Sequence, residues 1–562
     1  MAKSTLRIAN KPYPLYEGVW INNMKELVKY TSSTFGDKNA FSWEEDDGKE
    51  VNVSFIEFKK QIDALGAVLY SKNIKNERIA ILGESSYLWI LSYFAGAIGG
   101  NAIVPLDKGL SVSQMEVLVK DSEAGVLIYS EDFKDIAEEI KSEKLKIKWN
   151  MKTDITPMIE EGKKLVSENS PFAKEYIDFK LDNEKMAVII YTSGTTGISK
   201  GVMLTQKNLM TDVNISAKYI YLFGRTILVL PLHHSFAFTT SVLAEHYYGC
   251  DVAINKSLKN VLADLQKFKP SNLFLVPLFV ETFYKRIWQG AEKQKKDKLL
   301  KTLIKVSNFL LKLHIDLRRV LFKSVLKNFG GNLDLIVSGG APIDEKYIDG
   351  FRELGVNIVN GYGITECSPV VSVNRNGYSR KGSIGLVLPQ TKVKIFDKDE
   401  KGFGEICVQG DIVMLGYYNN PEATKEAFIE DEDGKWFRTG DIGWLDEDNF
   451  LFIGGRKKNL IILSNGENVS PEGLEQDILN EFPYVKEVVC FQKDNVIVAE
   501  AFFNNDYIAE TGTNDVNYRE KFEMDIVEFN RKQPPQKNIG KTIVREVEFP
   551  KTTTMKIKRN YK

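Results

Sequence analysis

Short apolar runs alternate with longer amphipathic stretches along the first two-thirds of the chain. Arg78-Ile79-Ala80-Ile81-Leu82-Gly83 is a strand-length apolar run that follows the polar connection Lys75-Asn76-Glu77. Residues 85–106 carry no charge, which is length enough to span a bilayer. Gly96, Gly99-Gly100-Asn101 and Pro105 interrupt that stretch. It therefore reads as a buried helix ending near Gly99, then a strand Ala102-Ile103-Val104. A polar helix over 113–122 leads into a strand over 125–129. Further strands are expected at 226–230, 272–276, 333–338 and 356–360. Strand–helix–strand repetition predicts a largely parallel sheet covered on both faces, an α/β fold.

From Gly382 the texture changes. Val393-Lys394-Ile395, Gly404-Glu405-Ile406-Cys407-Val408 and Phe450-Leu451-Phe452-Ile453 are short alternating runs, which predict a β-rich subdomain over about 382–455. Gly454-Gly455-Arg456-Lys457-Lys458-Asn459 reads as a polar, flexible joint. Beyond it, Ser470-Pro471 supplies an N-cap and a first-turn proline for a helix through Leu479. The last hundred or so residues form a small α+β domain on this reading.

Composition adds bounds rather than identity. At 562 residues the chain is too long for one core, so two or more domains are expected. With 43% apolar and 27% charged residues it is an ordinary globular protein. A net charge of −1 gives no global field that selects nucleic acid, and none is expected as a partner. The four cysteines (Cys250, Cys367, Cys407, Cys490) lie far apart, with no C-x-x-C pair and no zinc or disulfide pattern. Reduced thiols and an N-terminus without an apolar signal core imply a cytoplasmic protein.

The richest segment runs from 191 to 202. Thr192, Ser193, Gly194, Thr195, Thr196, Gly197, Ser199, Lys200 and Gly201 follow the apolar strand Met186-Ala187-Val188-Ile189-Ile190. Backbone N–H groups and hydroxyls in such a loop converge on one anion, and Lys200 adds a compact charge suited to phosphate. The spacing is not that of a Walker A loop, because Gly194 is followed by Thr195-Thr196-Gly197-Ile198-Ser199-Lys200. It closely resembles the phosphate loop of the adenylate-forming superfamily: acyl-CoA synthetases, luciferases and peptide-synthetase adenylation domains.

Two further strands end in glycine-rich turns. Gly339, Gly340 and Ala341 close one; Asn360, Gly361, Tyr362, Gly363, Ile364, Thr365 and Glu366 close the other. Ligands of parallel sheets bind beyond the carboxyl ends of strands. There the paired glycines let a flat base approach the backbone, Tyr362 can stack on it, Thr365 can donate to phosphate and Glu366 can hold Mg²⁺.

The resemblance extends over nearly the whole chain. Residues 360–366 match the superfamily's aromatic-Gly-x-Thr-Glu motif. Arg438-Thr439-Gly440-Asp441 matches its Thr-Gly-Asp motif, and Gly455-Arg456-Lys457-Lys458 its hinge motif. Residues 550–559 match the C-terminal lysine motif, with Met555 where glycine is usual. The resemblance implies a large N-terminal domain of stacked α/β sheets with a β subdomain (1–455), a hinge (456–458) and a small mobile α+β domain (459–562). It implies that Asp441 and Arg456 reach ribose, that Lys458 is the pivot and that Lys556 is the catalytic lysine. Gly466 would face the thiol channel. His234 matches a histidine near the acyl carboxylate; a satisfied core histidine is the alternative for that position.

The implied reaction is ATP-dependent conversion of a carboxylate to acyl-AMP, then transfer to a thiol, with Mg²⁺ and coenzyme A. Phe236-Ala237-Phe238-Thr239-Thr240 and Phe274-Leu275-Val276-Pro277-Leu278-Phe279 are apolar, as a fatty acid tail requires and as plain core would also be. An acyl carrier protein is the alternative acceptor, and a non-catalytic nucleotide- or lipid-binding regulator the alternative class. Residues 285–328 hold thirteen Lys/Arg against three Asp/Glu, with leucines at helical spacing. This is either a packed helix with a solvated basic face or a peripheral contact with the inner membrane surface. The insertion also resembles bacterial long-chain fatty acyl-CoA synthetases.

Overall fold

The computed structural model describes residues 12–192, 199–255, 257–462, 468–494, 496–511, 513, 516–551 and 557–559. The chain divides into two compact units: 1–392 with 408–437, and 393–407 with 438–562. The segment 456–458 lies within the second.

The first unit is built on two sheets. One has nine strands, in the order Leu386–Val387, Val370–Val373, Asn357–Gly363, Leu335–Ser338, Asn272–Leu275, Arg225–Leu228, Asp251–Ile254, Asn39–Glu44 and Glu50–Ser54. Its interior pairs are parallel and its edges antiparallel. The other has seven strands, from Gly416–Tyr417 through Lys200–Thr205, Met186–Thr192, Ala102–Pro105, Arg78–Leu82 and Val126–Tyr129 to Ile147–Asn150. Central strands such as Arg78–Leu82 and Leu335–Ser338 are almost wholly apolar because both faces are covered.

The uncharged stretch 85–106 resolves as expected. A helix Tyr87–Ile98 is N-capped by the Ser86 hydroxyl, ends at Gly99 and is buried along nearly its whole length. The strand Ala102–Pro105 follows. Among the described residues no helix is long and apolar enough to cross a membrane.

Other expectations shift. The strand expected at 356–360 runs on to Gly363, because Gly361 and Tyr362 pair antiparallel with Val373 and Ser372. Ser470 precedes the helix Pro471–Glu481, but its hydroxyl donates to the Glu472 carboxylate at 3.1 Å instead of capping the backbone.

The second unit carries a three-stranded sheet: Val485–Lys493 antiparallel to Val496–Phe503, which is parallel to Ile539–Arg545. Helices Pro471–Glu481 and Tyr518–Arg531 bury Leu474, Ile478, Phe522, Ile526 and Phe529 against it. The joint expected over 454–459 is regular structure: Gly454, Gly455 and Arg456 complete the strand Leu451–Arg456, and Lys457–Asn459 form one 3₁₀ turn.

Helix packing in the first unit is close enough to exclude a methyl group at one crossing. A Cβ on Gly162 would lie 2.0 Å from the Ala64 carbonyl oxygen of the helix Phe55–Ser71. Alanine usually favours a helix interior, yet overpacking here outweighs propensity. Gly162→Ala should lower stability by about 1–3 kcal/mol in urea unfolding; a neutral or stabilised variant would mean the two backbones separate freely.

Candidate active site

The site of the first unit grows from the strand that leaves the phosphate loop. Thr192 pairs with Lys200 across the hairpin, so the two sides of the loop are fixed even though Ser193, Gly194, Thr195, Thr196 and Gly197 lie outside the described residues. The next edge strand is Gly416–Tyr417, pairing Gly416 with Met203 and Tyr417 with Val202. Tyr418 N–H adds a bond to the Gly201 carbonyl at 2.7 Å. This register puts the Tyr417 ring 4.8 Å from the Lys200 ammonium.

Tyr417 also reaches Glu366. Its phenol donates to Glu366 Oε1 at 2.8 Å, and the Met414 N–H donates to the Glu366 carbonyl at 2.9 Å. Glu366 sits in a 3₁₀ turn, Thr365–Cys367, that leaves the strand Asn357–Gly363. Gly363 has no substitute there, since a Cβ would lie 2.1 Å from the Pro369 carbonyl oxygen. Beneath the turn, Asp212 of the helix Gln206–Ser216 accepts from the Val370 N–H at 3.1 Å and from the Ser216 hydroxyl at 3.2 Å. Burial pushes the Asp212 carboxyl well above its ordinary range. The Asn208 amide of the same helix donates to the carbonyls of Asp411 and Val413, at 2.7 and 3.0 Å.

Thr365 links this cluster to the segment after the histidines, with its hydroxyl 3.2 Å from that of Ser235. His234 is half-buried at the N-terminus of the short helix Ser235–Phe238, and its ring lies 4.1 Å from that of His233. His233 is the more enclosed of the two. Burial lowers its pKa to about 4, against the pull of Asp107, whose Oδ1 is 3.4 Å from Nε2. One residue beyond Ser235, Phe236 joins an apolar cluster with Leu230, Ala237, Val276 and Phe279. A Cβ on Gly339 would stand 3.0 Å from the Phe236 ring, so this glycine makes room for the aromatic, while Gly340 turns the chain at φ +84°. Ala341 is exposed just beyond. Asn360 is held at both ends, by the Ser383 carbonyl at 2.9 Å and by the Asn374 amide.

The structure therefore draws together Thr192, Lys200, Thr365, Glu366 and the segment from His234. Gly339, Gly340, Ala341, Asn360, Gly361, Tyr362 and Gly363 flank them on two adjacent parallel strands. Among the described residues no group of three or more His, Cys, Asp or Glu surrounds a common point. One buried carboxylate beside a lysine and hydroxyls suits a Mg²⁺ that arrives with phosphate oxygens and water, not one caged by protein alone.

In the second unit Asp441 and Arg456 are direct cross-strand partners, with Nε 2.8 Å from Oδ1. Asp441 is buried and its N–H donates to Thr439 Oγ1, whose hydroxyl donates to the Ile406 carbonyl. Lys458 is exposed on the 3₁₀ turn. Gly466 and Lys556 lie outside the described residues. The flanks of Lys556 are nonetheless tied down. Lys551 bridges Ile557, Lys558 N–H donates to the Pro550 carbonyl at 2.8 Å, and Arg559 pairs with Glu475 at 2.5 Å. Burial raises the Glu475 carboxyl to about 7, against the pull of Arg559.

Reading the sequence did not find Tyr417, Asp212 or Ser235. A Gly-Tyr pair inside a β-rich region carries no local chemical signal; only the sheet register aims Tyr417 at Lys200 and Glu366.

Comparison with known proteins agrees with this geometry. Residues 28–418 match the model of the AMP-binding enzyme family and 458–561 that of its C-terminal domain. A long-chain-fatty-acid CoA ligase of Mycobacterium bovis is 31% identical over 468 residues, covering 79% of this chain and 76% of that protein. A chloroplastic long-chain-fatty-acid acyl-carrier-protein ligase of Arabidopsis thaliana is 27% identical over 529 residues, covering 79% and 70%. The crystal structure of an anthranilate CoA ligase bound to anthranoyl-AMP shares the fold, with TM-score 0.74 at 19% identity over 97% of this chain and 96% of that one. The chain belongs to the AMP-binding enzyme family.

Proposed function

We propose that this chain is an AMP-forming ligase that activates a fatty acid with ATP and passes the acyl group to coenzyme A. The observation that carries the reading is the meeting of two environments across one peptide bond. Ser235 joins the polar cluster of Thr365, Glu366 and Lys200, while Phe236 joins the apolar cluster of Ala237, Val276 and Phe279. A molecule with an anionic head and an apolar tail fits that boundary.

In the first step a carboxylate oxygen bonds to the α-phosphorus of ATP as the bond to pyrophosphate breaks. In the second a thiol sulfur attacks the acyl carbon, loses its proton and expels AMP. Residues 192–197 and Lys200 bind and orient the phosphates. Gly339, Gly340, Ala341 and the strand Asn357–Gly363 receive the base. Asp441 accepts from ribose hydroxyls and Arg456 donates to them. Glu366 would hold Mg²⁺, which when bound would offset the negative charge of the phosphate oxygens. His234 lines the approach of the carboxylate. Lys556 donates to the carboxylate and α-phosphate, and the segment 459–562 that carries it pivots at Lys458 so that the thiol enters past Gly466.

The basic region also has a partner in this proposal. In the helix Asp297–Lys312, Leu300 and Ser307 are buried and Leu303 and Ile304 pack on the core. Leu299, Val306, Phe309 and Leu313 are exposed along one stripe, with Lys298, Lys301, Lys305 and Lys312 exposed on the side next to it. Arg318 and Arg319 serve the fold instead, bound to Asp316 and to the carbonyls of Arg352, Leu333, Gly355 and Gly331. An apolar stripe edged by lysines fits an anionic bilayer surface, where fatty acids collect.

Three outcomes test these assignments. Thioester should form from fatty acids of medium to long chain, with affinity rising by up to about 0.8 kcal/mol per added CH₂ until the pocket is full. A panel of carboxylates with coenzyme A and carrier protein as rival acceptors measures it. Preference for acetate, an aryl acid or an amino acid sinks the substrate assignment, and faster transfer to carrier protein reassigns the acceptor. Lys556→Ala should slow fatty-acid-dependent pyrophosphate exchange on the order of a hundredfold or more with an unchanged melting temperature; near wild-type exchange removes Lys556 from the mechanism. Vesicles rich in phosphatidylglycerol should sediment with the protein, and Phe309→Asp should weaken that binding about tenfold. Equal binding to phosphatidylcholine, or no effect of the substitution, ends the membrane assignment.

A further inference from the structure

We infer that Tyr417 is a positioning residue that ties the phosphate-loop lysine to the carboxylate of Glu366. The inference rests on the adenylating function just proposed and extends it to a residue outside the motifs that suggested it. One side chain makes both contacts: the phenol donates to Glu366 Oε1 at 2.8 Å, and the ring face lies 4.8 Å from Lys200 Nζ.

Four independent constraints hold the ring in that place. Tyr417 is paired in the sheet with Val202. Its N–H donates to Thr424 Oγ1 at 2.9 Å. Gly416 takes φ +147°, and a Cβ on it would lie 2.7 Å from Thr424 Cγ2, so the helix Pro421–Glu426 comes close only because residue 416 is glycine. Glu366 is fixed from its own side by the Met414 N–H, and the Ser368 hydroxyl donates to the Ile412 carbonyl at 2.8 Å. The segment that carries Tyr417 is thus clamped to the turn that carries Glu366.

The two contacts do different work. A hydrogen bond to an ionised carboxylate is stronger than a neutral one and fixes its orientation. The phenol thus fixes the rotation of the Glu366 carboxylate that, on the proposed function, would hold the divalent ion. The ring face holds an ammonium through its quadrupole without removing its charge. Lys200 is therefore linked to Glu366 through the Tyr417 side chain.

Conservative and non-conservative substitutions separate the two contacts. Tyr417→Phe keeps the ring and removes the donor; Tyr417→Leu removes both. The readout is calorimetric binding of a non-hydrolysable ATP analogue, titrated against magnesium chloride, alongside pyrophosphate exchange and the melting temperature. Tyr417→Phe should raise the Mg²⁺ concentration for half-maximal nucleotide binding about tenfold, as expected for a lost hydrogen bond to a charged group, with binding at saturating Mg²⁺ unchanged. Tyr417→Leu should in addition weaken nucleotide binding at saturating Mg²⁺. Added to Glu366→Gln, Tyr417→Phe should have no further effect on the Mg²⁺ requirement. An unchanged Mg²⁺ requirement in folded Tyr417→Phe, or full additivity with Glu366→Gln, overturns the inference. If wild-type protein itself shows no fatty-acid-dependent exchange, the proposed function fails instead, and the two failures are told apart by that control.

Discussion

Parallel hydrogen bonding in the nine-stranded sheet is the constraint from which the site follows. Leu275 pairs with Ser338, and Ser338 with Asn360, so the parallel pairing of three strands stops in one row. Both faces of such a sheet are covered by helices, and the strands are correspondingly apolar. Polar chemistry has no room on the faces and collects where the strands stop. Gly339-Gly340 and Gly361-Tyr362-Gly363 leave that row side by side, one turning at Gly340, the other continuing as an antiparallel edge. The second sheet delivers Lys200 by a different device, a hairpin whose two sides are in register from Val188–Leu204 to Thr192–Lys200.

What was legible in the sequence follows from the same physics. Buried parallel strands are runs of β-branched and aliphatic residues, so their positions read directly from the chain, as at Arg78–Leu82 and Asn272–Leu275. Glycine-rich turns after them read as ligand loops only in company with the segment 191–202, since ordinary turns share that composition and Gly339 and Gly363 also answer steric demands. Less legible were features set by register between distant segments. Nothing local says that Asn357–Gly363 continues beyond Asn360, since its partner Val370–Val373 lies past an intervening turn. The joint over 454–459 looked polar and flexible, yet Gly455 pairs with Ile442 and Arg456 with Asp441. A Cβ on Gly455 would lie 2.5 Å from Ser470 Oγ, so this glycine marks a close approach rather than a loose linker. The basic run at 285–328 read as one surface, whereas the structure separates Arg318 and Arg319, spent on backbone carbonyls, from the lysines that face outward.

Burial divides labour between two neighbouring carboxylates. Asp212 is completely enclosed, burial drives its pKa up, and its carboxyl accepts from the Val370 N–H in support of the turn. Glu366, in the turn itself, takes a donor from the phenol of Tyr417. A lysine placed directly on Glu366 would have satisfied the carboxylate more strongly, because opposite charges in a partly enclosed site attract by several kcal/mol at an effective dielectric near 20. On the proposed function, that arrangement would pair the carboxylate assigned to Mg²⁺ with the lysine assigned to phosphate. An aromatic ring between them is a weaker tie, about 0.5–2 kcal/mol for the ammonium. On the proposed function, that weaker tie holds Lys200 near Glu366 while leaving the ammonium able to meet a phosphate.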